Sequence, residues 1–209
     1  MIPKKEVPLD ILSGYLPDGT YEKVQRFLIR YKVHLTITRK RYSVLGDYRL
    51  PEGNEGHKIT VNGDLNRYAF LLTLLHELAH LVAYDYYGLR IAPHGVEWKK
   101  TFRRISVDFM DKGYMPLDVE AAIRKYMQDP SARSCVDEDL IRVLKKYDAQ
   151  LRNFCFVEDL GEGEWFVASD GREYCRGKKI RTRYMCMDVS NRKKYLFSPV
   201  YEVKRVKKE

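Results

Sequence analysis

The sequence predicts an α+β protein built in two parts, and three observations predict it. Residues 65–84 form a long run that is apolar almost all round, interrupted by His76, Glu77 and His80; a run of that kind reads as a buried helix. Before it, residues 33–38, 42–48 and 57–62 alternate in the manner of strands, enough for a short mixed sheet. From Phe154 onward the pattern shifts to period two, with turn residues between segments, which predicts a small antiparallel β module.

Taken in order, residues 20–31 place Val24, Phe27, Leu28 and Tyr31 on one side of a helix, with Asp18 and Thr20 available as caps. Asn62-Gly63-Asp64 closes the sheet, and Asn66 is the expected cap of the long helix. Gly88 is a helix stop. Pro93 favours a new start, and residues 96–110 carry Val96, Trp98, Phe102, Ile105, Val107 and Phe109 at mostly helical spacing. Residues 117–127 read as a shorter helix, Asp129-Pro130-Ser131 as a break, and residues 137–148 as a packed amphipathic spacer. Strands are expected at 154–157, 164–167, 181–188 and 195–206. These readings divide the chain into residues 1–130, a connecting helix at 131–150 and a β module at 151–209.

The chemistry lies in His76-Glu77-Leu78-Ala79-His80. Residues four apart share a helix face, so the two imidazoles converge on one point, at a spacing that suits a Zn²⁺ ion. Glu77 stands beside the first imidazole and reaches a water at the metal without being a ligand. The pattern implies metal-assisted hydrolysis with Glu77 as general base. The alternative, a solvated helix face, sits poorly in so apolar a run, because buried polar groups need partners.

A third ligand is expected downstream. The chain has five histidines: His34, His57, His76, His80 and His94. His94 follows Pro93 and precedes Gly95, whose lack of a side chain lets backbone approach a metal site, so it is expected on the first turn of the next helix. Three protein ligands and one open position is the catalytic zinc arrangement. His34 reads as an outward strand position, and His57, after the turn-rich 51–56, as solvated. Tyr84, Tyr87 and Arg104 are near enough in sequence to consider as stabilisers of a reaction's oxyanion, but nothing fixes their direction.

With these residues the chain resembles the SprT-like family, which includes the DNA-dependent protease Spartan. His76-Glu77-Leu78-Ala79-His80 and His94-Gly95-Val96-Glu97-Trp98 carry the resemblance, with Leu45-Gly46 and Ile59-Thr60-Val61-Asn62 upstream. It covers roughly residues 15–112. It implies a small zincin-type domain over residues 1–130, one zinc ion on His76, His80 and His94, Glu77 as catalytic acid and base, and metallopeptidase activity. Proteins attached to DNA are the substrate class for Spartan. Many members carry a C-terminal zinc ribbon with two C-x-x-C pairs. Here Cys135, Cys155, Cys175 and Cys186 stand alone, so no ribbon of that kind is expected. They read as small buried side chains, although Cys155, Cys175 and Cys186 could converge in the β module.

Of 209 residues 44% are apolar, enough for a real core, and the net charge is +9. Residues 172–209 hold thirteen Lys and Arg against four acids, so the whole excess sits at one end. Tyr174, Tyr184, Tyr195, Phe197 and Tyr201 are interleaved with it. Two readings stand: a solvated strand face with a Lys-rich tail, or a surface where bases attract phosphates and rings stack on unpaired bases. The second makes DNA a candidate partner beside a protein or peptide substrate. Residues 1–8 lack the apolar run of a signal peptide, no apolar stretch is long enough to span a membrane, and sparse cysteines suit a reducing compartment. A soluble, cytoplasmic protein with no membrane partner is expected.

Overall fold

A computed structural model describes residues 9–41, 43–53, 56–128, 130, 137–149 and 154–206. The chain separates into two compact units, residues 1–148 and 149–209. Cys135, the expected break at Asp129 and Ser131, and Lys207 and Lys208 lie outside the described residues.

The first unit is α+β. After a short helix α1 (Leu9–Leu12), α2 (Tyr21–Arg30) buries Val24 and Leu28. Thr20 precedes α2 without capping it; its hydroxyl donates to the Pro17 carbonyl at 2.7 Å. A three-stranded sheet follows, built from β1 (His34–Thr38), β2 (Gly46–Arg49) and β3 (Lys58–Asn62). Its order is β1-β3-β2, with β1 parallel and β2 antiparallel to the central β3, the expected mixed sheet. Ile59 and Val61 of β3 are fully buried. Helix α3 (Arg67–Tyr87) packs over β2 and β3. Asn66 caps it, accepting the Tyr68 and Ala69 backbone N–H groups at 3.1 and 3.0 Å. Such a cap is worth about 1 kcal/mol.

Helix α4 (Val96–Val107) packs along α3 through Trp98, Thr101, Phe102 and Ile105. Helices α5 (Leu117–Gln128) and α6 (Glu138–Lys145) complete the unit. Asp137 caps α6 by accepting the Leu140 N–H at 2.8 Å, and Leu140 is buried in the same core as α3 and α4. Among the described residues no helix is long and apolar enough to cross a membrane.

The second unit is a six-stranded sheet with the order β4-β9-β5-β6-β7-β8, all pairs antiparallel. The strands are β4 (Phe154–Phe156), β5 (Trp165–Val167), β6 (Glu173–Ile180), β7 (Arg183–Asp188), β8 (Lys194–Phe197) and β9 (Glu202–Arg205). Two features differ from the sequence expectation. Strand β6 stands where no strand was expected, because its Arg176-Gly177-Lys178-Lys179 run is polar and the pairing with β7 shifts register there. A Cβ on Gly177 would lie 2.6 Å from the Met185 carbonyl oxygen, so the shifted strand has no room for a side chain. The expected strand at 195–206 is two strands, interrupted at Ser198-Pro199-Val200-Tyr201.

Tyr174, Tyr184 and Cys186 are buried in this unit's core, with Tyr195, Phe197 and Tyr201 packed against it. Of the interleaved aromatics, Tyr174 and Tyr184 are thus buried, and Tyr195, Phe197 and Tyr201 are half-buried against them. Cys155, Cys175 and Cys186 are free thiols and form no three-ligand group among the described residues.

Candidate metal centre

Spacing along α3 brings His76 and His80 to one face, and the following turn brings His94 to meet them. The Nε2 atoms of His76 and His94 are 3.0 Å apart, and those of His80 and His94 are 2.8 Å apart. Among the described residues these three form the group able to hold a metal ion. A ring nitrogen has one position in its plane, either a proton or a lone pair. The His94 nitrogen therefore cannot satisfy both neighbours by hydrogen bonding. A metal satisfies all three, and tetrahedral ligands about 2.0–2.1 Å from zinc stand roughly 3.3 Å apart, close to the spacing seen. The donor set fits the ion.

His94 does not lie on a helical turn. It has φ 59°, and the Gly95 N–H donates to the Ala92 carbonyl at 2.9 Å. Pro93 and His94 thus occupy the central positions of a tight turn, with His94 in the left-handed region, and α4 begins only at Val96. Pro93 fixes the turn instead of opening the helix. Holding a non-glycine residue there costs about 1–2 kcal/mol, which the packing of α4 on α3 must offset.

Trp98 forms the floor. It is fully buried, and its ring lies 4.6, 5.2 and 4.7 Å from the rings of His76, His80 and His94. The His80 ring also lies parallel to the Tyr48 ring, within 2° at 6.4 Å. His76 Nδ1 is buried without a hydrogen-bond partner. Without metal, burial and then the neighbouring imidazoles lower the His76 pKa to about 3 and that of His80 to about 4. Burial lowers His94 as well. The three rings are neutral at neutral pH, the form that ligates metal.

Glu77 is buried beside this cluster under β2. Burial, and then Asp47, raises its carboxyl to about 8; Arg41 and the Tyr48 backbone N–H, which the carboxylate accepts, act the other way. Arg41 is held in turn by buried Asn62, whose Oδ1 accepts the Arg41 Nε–H at 2.8 Å. Asn62 also donates to the carbonyls of Arg41 and Val44, tying down the approach to β2.

Of the other candidates, His34 is exposed on β1, as expected. His57 is not simply solvated: it is half-buried and its Nδ1 lies 2.9 Å from the Tyr48 hydroxyl. Arg104 and Tyr87 are exposed, and Tyr84 is half-buried against the His57 ring. Sequence reasoning gave Tyr48 and Arg41 no role at the site, and Asn62 entered only through the motif resemblance. The signal for Gly46 and Trp98 lay in the motif resemblance alone.

The SprT-like family model matches residues 20–121. Over 41 residues the chain is 51% identical to Protein SprT of Pseudomonas paraeruginosa and to Protein SprT of two strains of Pseudomonas aeruginosa. Those residues are 19% of this chain and 25% of each relative, so the match spans a quarter of the relatives' length. No solved structure matches. Residues 20–121, which carry the mixed sheet, helix α3 and all three converging histidines, are thus the part of the chain that is similar to the SprT-like family.

Proposed function

We propose that the first unit is a zincin-type metallopeptidase domain that hydrolyses peptide bonds with one zinc ion held by His76, His80 and His94. The observation that carries this reading is Glu77: a buried carboxyl beside three converging imidazoles. A purely structural zinc site has no use for a base there. Zinc bound at such a site supplies Lewis acidity, polarising a carbonyl and lowering the pKa of water. Glu77 takes the proton from the attacking water and later hands it to the leaving amine.

The second unit extends the proposal to substrates associated with or crosslinked to DNA. Lys178, Lys179, Arg181, Arg183, Arg192, Lys193 and Lys194 are exposed on or beside β6, β7 and β8, and basic side chains attract phosphates without reading sequence. The free thiols fit a cytoplasmic setting. The same exposed charges favour a second reading, a nucleic-acid-binding protein whose zinc site is not catalytic.

One experiment separates the two. Zinc content, casein hydrolysis and DNA affinity are measured for wild type and Glu77→Gln. The peptidase reading expects one zinc per chain in both, hydrolysis by wild type alone, and equal DNA affinity. No hydrolysis by zinc-loaded wild type, with DNA binding retained by both, establishes the second reading instead.

A further inference from the structure

Hydrolysis needs one more group than the proposed function names: a donor for the negative charge that develops on the carbonyl oxygen of the bond being cut. The site has two walls. One is α4 with its preceding turn, which gives His94 and Trp98. The other is β2, an edge of the sheet, which passes directly over α3.

Tyr48 joins the second wall to the centre in three ways. Its backbone N–H is held by Glu77. Its ring lies parallel to the His80 ring. Its hydroxyl meets His57 Nδ1 at 2.9 Å, and the His57 ring stands 6.1 Å from Tyr84, one helical turn beyond His80. Tyr48 and His57 thus flank the stripe of α3 that carries the histidines. Both are half-buried, so the pair is oriented yet open to a substrate. With its proton on Nδ1, His57 donates to the phenol oxygen and leaves the Tyr48 O–H free to donate elsewhere. A tyrosine phenol ordinarily titrates at about pH 10, so it carries its proton at neutral pH.

We propose that Tyr48 is a further catalytic residue, positioned by His57, whose phenol hydrogen-bonds the carbonyl oxygen of the scissile peptide bond as that oxygen becomes charged. The proposal rests on the peptidase reading. One water is consumed: its oxygen bonds to the carbonyl carbon and one proton passes to Glu77. The carbonyl π pair moves onto oxygen, where the Tyr48 O–H meets it. When the C–N bond breaks, that pair re-forms the double bond, and nitrogen leaves with the bonding pair and takes the proton from Glu77. Tyr48 ends unchanged, having lent a hydrogen bond. His57 is a positioning residue because it acts through the phenol.

The test compares the zinc-loaded full chain with Tyr48→Phe, His57→Ala and the double variant on casein. Removing one oxyanion donor costs about 10²–10³ in kcat, so Tyr48→Phe is expected to lose at least about a hundredfold, with KM within about threefold and zinc per chain unchanged. His57→Ala is expected to lose about tenfold alone and nothing further in the Tyr48→Phe background, because coupled residues are not additive. A readout independent of activity is the histidine ¹⁵N spectrum of the metal-free protein, where the His57 Nδ1 signal is expected to move in Tyr48→Phe.

A Tyr48→Phe variant with kcat within twofold of wild type, while Glu77→Gln is inactive, overturns the role of Tyr48 and leaves the peptidase reading standing. A full His57→Ala loss in the Tyr48→Phe background, or an unmoved Nδ1 signal, overturns the pairing. Inactive wild type overturns both readings together.

Discussion

A Cβ placed on Gly46 would lie 2.8 Å from Oε1 of Glu77 and 2.8 Å from the Thr73 methyl. Strand β2 therefore crosses the carboxylate with no room for a side chain. Gly46→Ala must displace either the strand or the carboxylate, and overpacking of this kind costs about 1–3 kcal/mol. Because the three imidazoles lie on α3 and the turn before α4, zinc content should hold while kcat falls, by roughly tenfold or more for a base moved by part of an ångström. Metal analysis beside casein turnover checks this. Wild-type kcat in the variant would mean that the Glu77 position is not critical.

The metal-free protein should be most stable near pH 6.5. His76 and His80 take up protons from about pH 6.5 downward when unfolded, but only near 3 and 4 when folded, so stability falls as pH drops through that window. Glu77 acts in the opposite direction. Its carboxyl ionises near 4.5 in the unfolded chain and near 8 in the folded one, so stability falls as pH rises between those values. Below 6.5 two imidazoles outweigh one carboxyl; above it Glu77 acts alone. Chelator-treated wild type and Glu77→Gln, unfolded in urea from pH 4 to 8.5, isolate the carboxyl. The variant should keep the acid limb and lose the alkaline decline, and identical alkaline limbs would contradict the raised Glu77 pKa.

What the sequence made legible was local. The spacing of His76 and His80 and the cap at Asn66 follow from helix geometry, which repeats along the chain and can be read from it. His94 was legible as a partner, but its turn was not: Pro93 is equally suited to a helix start and to a tight turn, and the Ala92–Gly95 hydrogen bond decides between them. The Tyr48–His57 pair was illegible for a different reason. It forms across the loop between β2 and β3, and alternation along a strand says which face a residue shares but not what stands opposite. In the second unit β6 was obscured by its own charge and by the irregularity at Gly177.

Trp98 should report metal binding directly. Its ring lies within 5.2 Å of all three imidazole rings, and the chain has one other tryptophan, Trp165. Cobalt(II), which takes nitrogen sites like those of zinc, quenches a nearby indole. In a Trp165→Phe background, titration with Co²⁺ should quench the remaining emission with a break at one equivalent. His94→Ala should abolish the break at the same concentrations. Unchanged emission from a protein shown by metal analysis to hold one cobalt would place the ion away from these histidines.

The exposed hairpin of β6 and β7 should dominate any affinity for DNA. Lys178, Lys179, Arg181 and Arg183 are all exposed there, at and beside the two-residue turn Arg181-Thr182, whereas Arg172, Arg176 and Arg205 of the same unit are engaged. Arg172 pairs with Asp170 and Asp188, Arg205 with Glu164, and Arg176 lies 4.2 Å over the Tyr184 ring. Each phosphate neutralised on duplex DNA contributes about −0.9 to the slope of log affinity against log salt. Replacing the four hairpin cations with alanine should make that slope shallower by up to about 3.6, whereas Arg172→Ala should change it little. Fluorescence anisotropy on a labelled duplex from 50 to roughly 200 mM salt spans the range where such slopes are readable. Because Tyr174 and Tyr184 are buried in the core and Tyr195 and Tyr201 are half-buried against them, duplex and single strand should be bound with similar strength. A strong preference for single strands would require rings outside that core, and an unchanged slope in the fourfold variant would remove the hairpin from the interface.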